Sequence, residues 1–175
     1  MKVTLAVVAS LDGFTTYGSE PGTAWASAED QEYFQSLKKR AKVVIMGSNT
    51  YSHARESMNL TPDILRVVMT REVSKFREQT VAGQLEFTSE SPVELLTRLE
   101  SMDYTEVLLV SGESLTTQFF NEKLINEVHC TTEPFILGSG KGFVRKLPAM
   151  VKLELIDSRK VNKIGTFISV YKVLS

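Results

Sequence analysis

Four short stretches of the chain are apolar at almost every position: residues 3–9 (VTLAVVA), 43–46 (VVIM), 65–69 (LRVVM) and 107–110 (VLLV). A strand with one wet face alternates apolar and polar residues. A run that does not alternate needs cover on both faces, as in a parallel sheet flanked by helices. Helical signals fall between these runs. Ser27 followed three residues later by Asp30 forms a weak capping box, and Phe34, Leu37 and Ala41 then recur at helical spacing. Lys38, Lys39 and Arg40 suit the negative end of that helix. Ser91-Pro92-Val93-Glu94 is a stronger start, with Ser at the N-cap, Pro at N1 and Glu at N3. Its stripe is Leu95, Leu96, Leu99 and Met102. A turn, Ser111-Gly112-Glu113, opens a further helix carrying Leu115, Phe119 and Phe120.

Residues 85–88 read as one more short strand. After Leu124 the pattern changes. Val128, Cys130 and Thr132 share one side of a period-2 segment that ends at Pro134. Val151, Leu153 and Leu155 alternate with polar residues, and residues 167–173 form a last strand. Strands that follow one another without helices pair antiparallel. Gly13, Gly18, Pro21 and Gly22 mark a long loop after the first strand. The expectation is one α/β domain over residues 1–175: a mostly parallel central sheet flanked by helices, with carboxyl-terminal antiparallel strands.

The charge balance narrows the function. The 175 residues hold 20 Lys and Arg against 21 Asp and Glu, so the basic excess of a nucleic-acid binder is lacking. No stretch approaches 18 consecutive apolar residues, which argues against a membrane span. The opening MKVTLAVVAS meets Asp12 too early for a secretory signal, so a cytoplasmic location is expected. The single Cys130 permits neither an internal disulfide nor a Cys-based zinc site. Neither His53 nor His129 is expected to bind metal. Gly138, Gly140 and Gly142 give a G-x-G-x-G spacing that opens no helix, and they read as a hairpin loop rather than a dinucleotide fingerprint.

Three strand-to-helix junctions carry candidate chemistry. Backbone N–H groups at such junctions attract phosphate, and in an open parallel sheet they gather beyond the carboxyl ends of the strands. The junctions are Gly47-Ser48-Asn49-Thr50, Thr70-Arg71 and Ser111-Gly112-Glu113-Ser114. Asp30 is either a local cap or a carboxylate facing a cleft below Trp25. Asp12 lies in an Asp-Gly turn pair.

The order of S-L-D-G at residues 10–13, Trp25-Ala26-Ser27-Ala28-Glu29, VVIMGSNTY at residues 43–51, and residues 107–112 resembles the RibD carboxyl-terminal domain, the reductase part of bifunctional riboflavin-biosynthesis proteins. That domain is similar in fold to dihydrofolate reductase. Leu124 through Glu127, Pro134 and Ile136-Leu137-Gly138-Ser139-Gly140 resemble the riboflavin branch. The resemblance implies an NADPH-dependent reductase passing a hydride to a pyrimidine- or pterin-like small molecule. A pterin reductase of the dihydrofolate reductase type, or a protein that holds NADPH without reducing anything, are the alternatives. It implies cofactor contacts at Gly47, Ser48, Asn49 and Thr50; at Thr70 and Arg71, by the adenosine 2′-phosphate; and at Ser111, Gly112, Glu113, Ser114 and Leu115. Trp25, Asp30 and Phe34 reproduce the W-x4-D-x3-F spacing of the dihydrofolate reductase substrate helix. This implies a substrate pocket with Asp30 as the acid and Asp12 beside the nicotinamide. It also implies a homodimer, although no exposed apolar stripe is visible in the sequence. Three positions depart from the riboflavin branch: Ala6 where a Lys is usual, Phe14 where a basic residue is common, and Ser111-Gly112-Glu113 in place of E-G-G.

Overall fold

The computed structural model describes residues 1–20 and 22–174; Pro21, one of the loop markers above, lies outside them. The non-alternating runs become β1 (Lys2–Ser10), β2 (Val43–Gly47), β3 (Leu65–Met69) and β5 (Glu106–Leu109), with the short β4 (Leu85–Thr88) as expected. Between them lie α1 (Ala28–Ala41), α2 (Ser48–Ala54), α3 (Pro92–Ser101) and α4 (Glu113–Asn121). The chain ends with β6 (Glu127–Glu133), β7 (Lys152–Lys160) and β8 (Phe167–Leu174). All eight strands join one sheet in the order β4-β3-β2-β5-β1-β6-β8-β7. Strands β1 to β6 are mutually parallel, while β8 and β7 add antiparallel.

Cover on both faces explains the sequence pattern. Successive strand residues point to opposite faces. On one face Val3, Leu5, Val43, Ile45, Val107 and Leu109 pack with Leu95 and Leu99 of α3 and Phe119 of α4. On the other, Val44, Met46, Val68 and Leu108 meet Leu37 and Ala41 of α1 and Tyr51 of α2. Neither face is left wet, so both positions of the alternation are mostly apolar, with Thr4, Ser10 and Arg66 the buried polar exceptions in β1 and β3.

The helix starts differ in how far their caps close. At α3 the reciprocal pair is complete: the Ser91 hydroxyl accepts from the Glu94 N–H and the Glu94 carboxylate accepts from the Ser91 N–H. At α1 only half forms. The Asp30 N–H donates to the Ser27 hydroxyl at 3.3 Å, but the Ser27 N–H goes to Glu133 Oε1 at 2.7 Å instead of to Asp30. The Asp30 carboxyl is therefore not consumed by local capping.

The glycine spacing at 138, 140 and 142 is not a hairpin loop, contrary to expectation. It lies in the connection from β6 to β7, two strands that do not pair because β8 sits between them. This connection docks on the loop after β1. The Thr15 N–H donates to the Lys141 carbonyl at 2.7 Å, and the Gly18 N–H donates to the Ser139 carbonyl at 3.0 Å. At Gly140, φ is +157° and an added Cβ would fall 1.9 Å from the Thr16 carbonyl oxygen. Only glycine fits that approach.

All nine residues of β7 are exposed, among them Leu153, Leu155 and Ile156. Among the described residues, no helix is long and apolar enough to cross a membrane.

Candidate functional site

Because β1 to β6 run parallel, their carboxyl ends lie along one edge of the sheet. The turns after β2, β3 and β5 carry Gly47 to Thr50, Thr70-Arg71 and Ser111 to Leu115, and Asp12 follows β1. The Ser27–Glu133 bond seats the start of α1 at the end of β6. The sequence-predicted residues thus share one edge, with Phe34 set further along α1.

The junctions after β2 and β5 are neighbours. The Val110 N–H donates to the Ile45 carbonyl at 2.9 Å, and a Cβ added at Gly47 would come within 3.9 Å of Leu115. Both junctions start helices without a side-chain cap. Gly47 and Gly112 hold the N-cap positions in extended conformation, whereas α1 and α3 are capped by serine hydroxyls. The first-turn N–H groups of a helix have no intrahelical acceptor, so here they remain open to a ligand. In front of Gly112 an added Cβ would meet nothing within 4 Å. The turn itself is braced, since the hydroxyls of Ser111 and Thr116 lie 2.8 Å apart. Glu113 is drawn aside by Arg145, whose Nε donates to Oε1 at 2.9 Å, so the acid is paired. Thr70 is fixed by its N–H to the Thr88 carbonyl at 2.8 Å. Arg71 is exposed and has no ion pair among the described residues. This donor set suits a phosphorylated dinucleotide: backbone N–H groups for phosphate and a free guanidinium for a phosphomonoester.

The other half of the edge is built from side chains. Asp30 is buried, at 8% exposure. Burial raises its carboxyl above the ordinary aspartate value; the nearby Thr131 hydroxyl opposes this and the Glu133 carboxylate adds to it. Trp25 stands edge-on to Phe135 at 6.5 Å, and its buried indole N–H lacks a partner among the described residues. Phe34 is half-buried against the α1-side core and carries Lys38 Nζ over its ring at 4.7 Å. Asp12 acts as a clip between loops. It accepts from the Ser10 hydroxyl at 2.6 Å and from the Leu137 and Gly138 N–H groups at 3.1 and 2.8 Å. The Ser10 bond leads in holding its carboxyl below the usual range.

His53 lies on an exposed face of α2. His129 is buried, with Nδ1 at 2.6 Å from the Tyr33 hydroxyl and Nε2 at 3.2 Å from Glu127. Desolvation leads in lowering its proton affinity. The sequence reading missed Thr131, Glu133 and Thr166, which line the α1 side of this half. Their only signal was three polar residues, His129, Thr131 and Glu133, on the other alternation of β6.

A depression lined by Met1, Lys2, Asn126, Glu127, Lys172 and Val173 opens at the opposite edge of the sheet, away from all these groups.

The architecture is that of the dihydrofolate-reductase-like class, a mostly parallel sheet with an antiparallel extension. Residues 1–164 match the RibD C-terminal domain, and the chain belongs to that family. YwjB of Bacillus subtilis (strain 168), an uncharacterized protein, is 26% identical over 91% of each chain. A candidate riboflavin biosynthesis protein from Shewanella sp. PV-4 superposes with a TM-score of 0.77 at 20% identity, covering all of both chains. The diaminohydroxyphosphoribosylaminopyrimidine deaminase/5-amino-6-(5-phosphoribosylamino)uracil reductase of Thermotoga maritima gives a TM-score of 0.77 at 15% identity. The match covers 99% of the present chain and 56% of that larger one.

Proposed function

We propose that the protein is an NADPH-dependent reductase acting on a C=N bond of a pyrimidine-ribityl or pterin-like compound. The observation that carries this reading is the pairing of two uncapped glycine junctions, Gly47 and Gly112, with a buried carboxyl at Asp30 on the same edge. The open N–H groups of Ser48 to Thr50 and Glu113 to Leu115 would hold the cofactor phosphates, and Arg71 the adenosine 2′-phosphate. A cofactor held there would supply the hydride for the carbon of the C=N bond. Asp30 gives its proton to the nitrogen, so the bond gains H⁻ and H⁺ and becomes CH–NH. Trp25 lines the ring pocket, and its unpartnered indole N–H is free to donate to a ring acceptor. Asp12 keeps the loop after β1 in place through Leu137 and Gly138. A small-molecule substrate and a homodimer belong to the same reading, and light scattering tests the latter.

Trp25 fluorescence tests the reading. NADPH should quench it more strongly than NADH, and nicotinamide absorbance should then fall only with a substrate of the stated class. Binding without oxidation across pterin and aminouracil panels would favour a protein that holds NADPH without catalysis.

A further inference from the structure

Glu133 has no exposed surface, and no Lys, Arg or His ion pair reaches it among the described residues. Its oxygens are both taken by neutral donors. The Ser27 N–H donates to Oε1 at 2.7 Å and the Thr166 hydroxyl donates to Oε2 at 2.6 Å. Thr166 Oγ1 also accepts from the Asn162 amide at 2.8 Å, so the hydroxyl links Asn162 to Glu133. Asn162 itself accepts from the Gly165 and Thr166 N–H groups at 3.0 Å and reaches Glu29 Oε2 on α1 at 3.2 Å. A buried carboxylate without a counter-ion costs stability, and an apolar side chain of similar volume would serve packing better. Such a group is found where it tunes or places another.

Resting on the reading of Asp30 as proton donor, we propose that Glu133 is the positioning residue of this site. It ties the first turn of α1 and the 162–166 turn to the end of β6, and so holds Asp30 at the edge beside a second buried carboxyl group.

The ionisable neighbours are few. On β6 they are Glu133 and Cys130, whose thiol is pushed up by burial and by the Asp30 charge. Glu29 adjoins Asp30 on α1 but is turned to Asn162. Tyr33, one turn on, bonds His129, and Arg159 of β7 lies over the Tyr33 ring at 5.2 Å. Asp12, from the loop after β1, is turned to Leu137 and Gly138. Glu133 is thus the carboxylate that acts on Asp30. A like charge keeps a proton on its neighbour to higher pH.

The test follows the Asp30 carboxyl by carbon-13 NMR in the full chain without ligand, its resonance assigned by loss in Asp30→Asn. In Glu133→Gln, which keeps the size and removes the charge, the Asp30 inflection should move to lower pH. In Glu133→Asp, which restores the charge, it should return toward the original position. An inflection that stays put or rises in Glu133→Gln overturns the assignment. Should Glu133→Gln fail to fold, Thr166→Val and Thr166→Ser carry the test. Valine removes the proton that holds Oε2 and should move the inflection, whereas serine keeps it and should not. Equal inflections in all three proteins would overturn the assignment. None of these readings uses turnover, so a protein that reduces nothing would sink the proposed function and leave this inference to be decided by the titration.

Discussion

The two halves of the sheet's carboxyl edge are made of different material. From β3 to β5 the available groups are backbone N–H donors at glycine junctions, joined by one exposed guanidinium at Arg71. From β1 to β6 they are buried side chains, Asp30, Thr131, Glu133 and Thr166, with Thr166 bonded to Glu133. Backbone donors cannot change charge, so that half offers a constant field to an anion. Buried carboxyls hold or release protons according to their neighbours, so the other half suits proton transfer. The proposed function divides binding and chemistry along one line of turns.

Four substitutions break or sharpen that division. The largest effect is expected for Asp30→Asn, which should lower turnover by about 100-fold or more while NADPH still quenches Trp25. A parallel loss of cofactor affinity would merge the two halves. In the unsubstituted protein, turnover should fall as pH rises through the raised Asp30 value, because only the protonated carboxyl delivers a proton. Next, Gly140→Ala forces a Cβ against the Thr16 carbonyl that carries the docked connection. It should cost roughly 1–3 kcal/mol in denaturant unfolding. Arg71→Ala should weaken NADPH binding about tenfold and leave NADH unchanged, as expected for one charge-assisted contact. The smallest effect belongs to Ser91→Ala, at about 1 kcal/mol of stability with ligand binding intact, since its capping box lies outside the site.

The sequence carried the local features and hid the distant ones. Strands β1, β2, β3 and β5 were legible because cover on both faces removes alternation, and α3 because all of its start signal lies within four residues. The strand order β6-β8-β7 was not, since it depends on pairings between segments far apart in the chain; the G-x-G-x-G stretch was misread for that reason. The glycine junctions were legible as strand-to-helix turns from residue type, whereas spacing left Asp30 open between a local cap and a cleft carboxylate. Glu133 was not legible. On β6 the residues Val128, Cys130 and Thr132 drew attention as the marked side, yet α1 also covers the side bearing His129, Thr131 and Glu133. The Arg145–Glu113 pair, which turns the acid aside, spans 32 residues and leaves no local trace.

The central claim is that uncapped turns on adjacent strands form one cradle for NADPH. Amide NMR of the labelled full chain during an NADPH titration tests it most directly. The N–H signals of Ser48, Asn49, Thr50, Glu113, Ser114 and Leu115 should shift together along one binding curve, with Arg71 following for NADPH and not for NADH. Shifts gathered instead around Lys2, Asn126 and Glu127 at the opposite edge, or none at saturating cofactor, would contradict it.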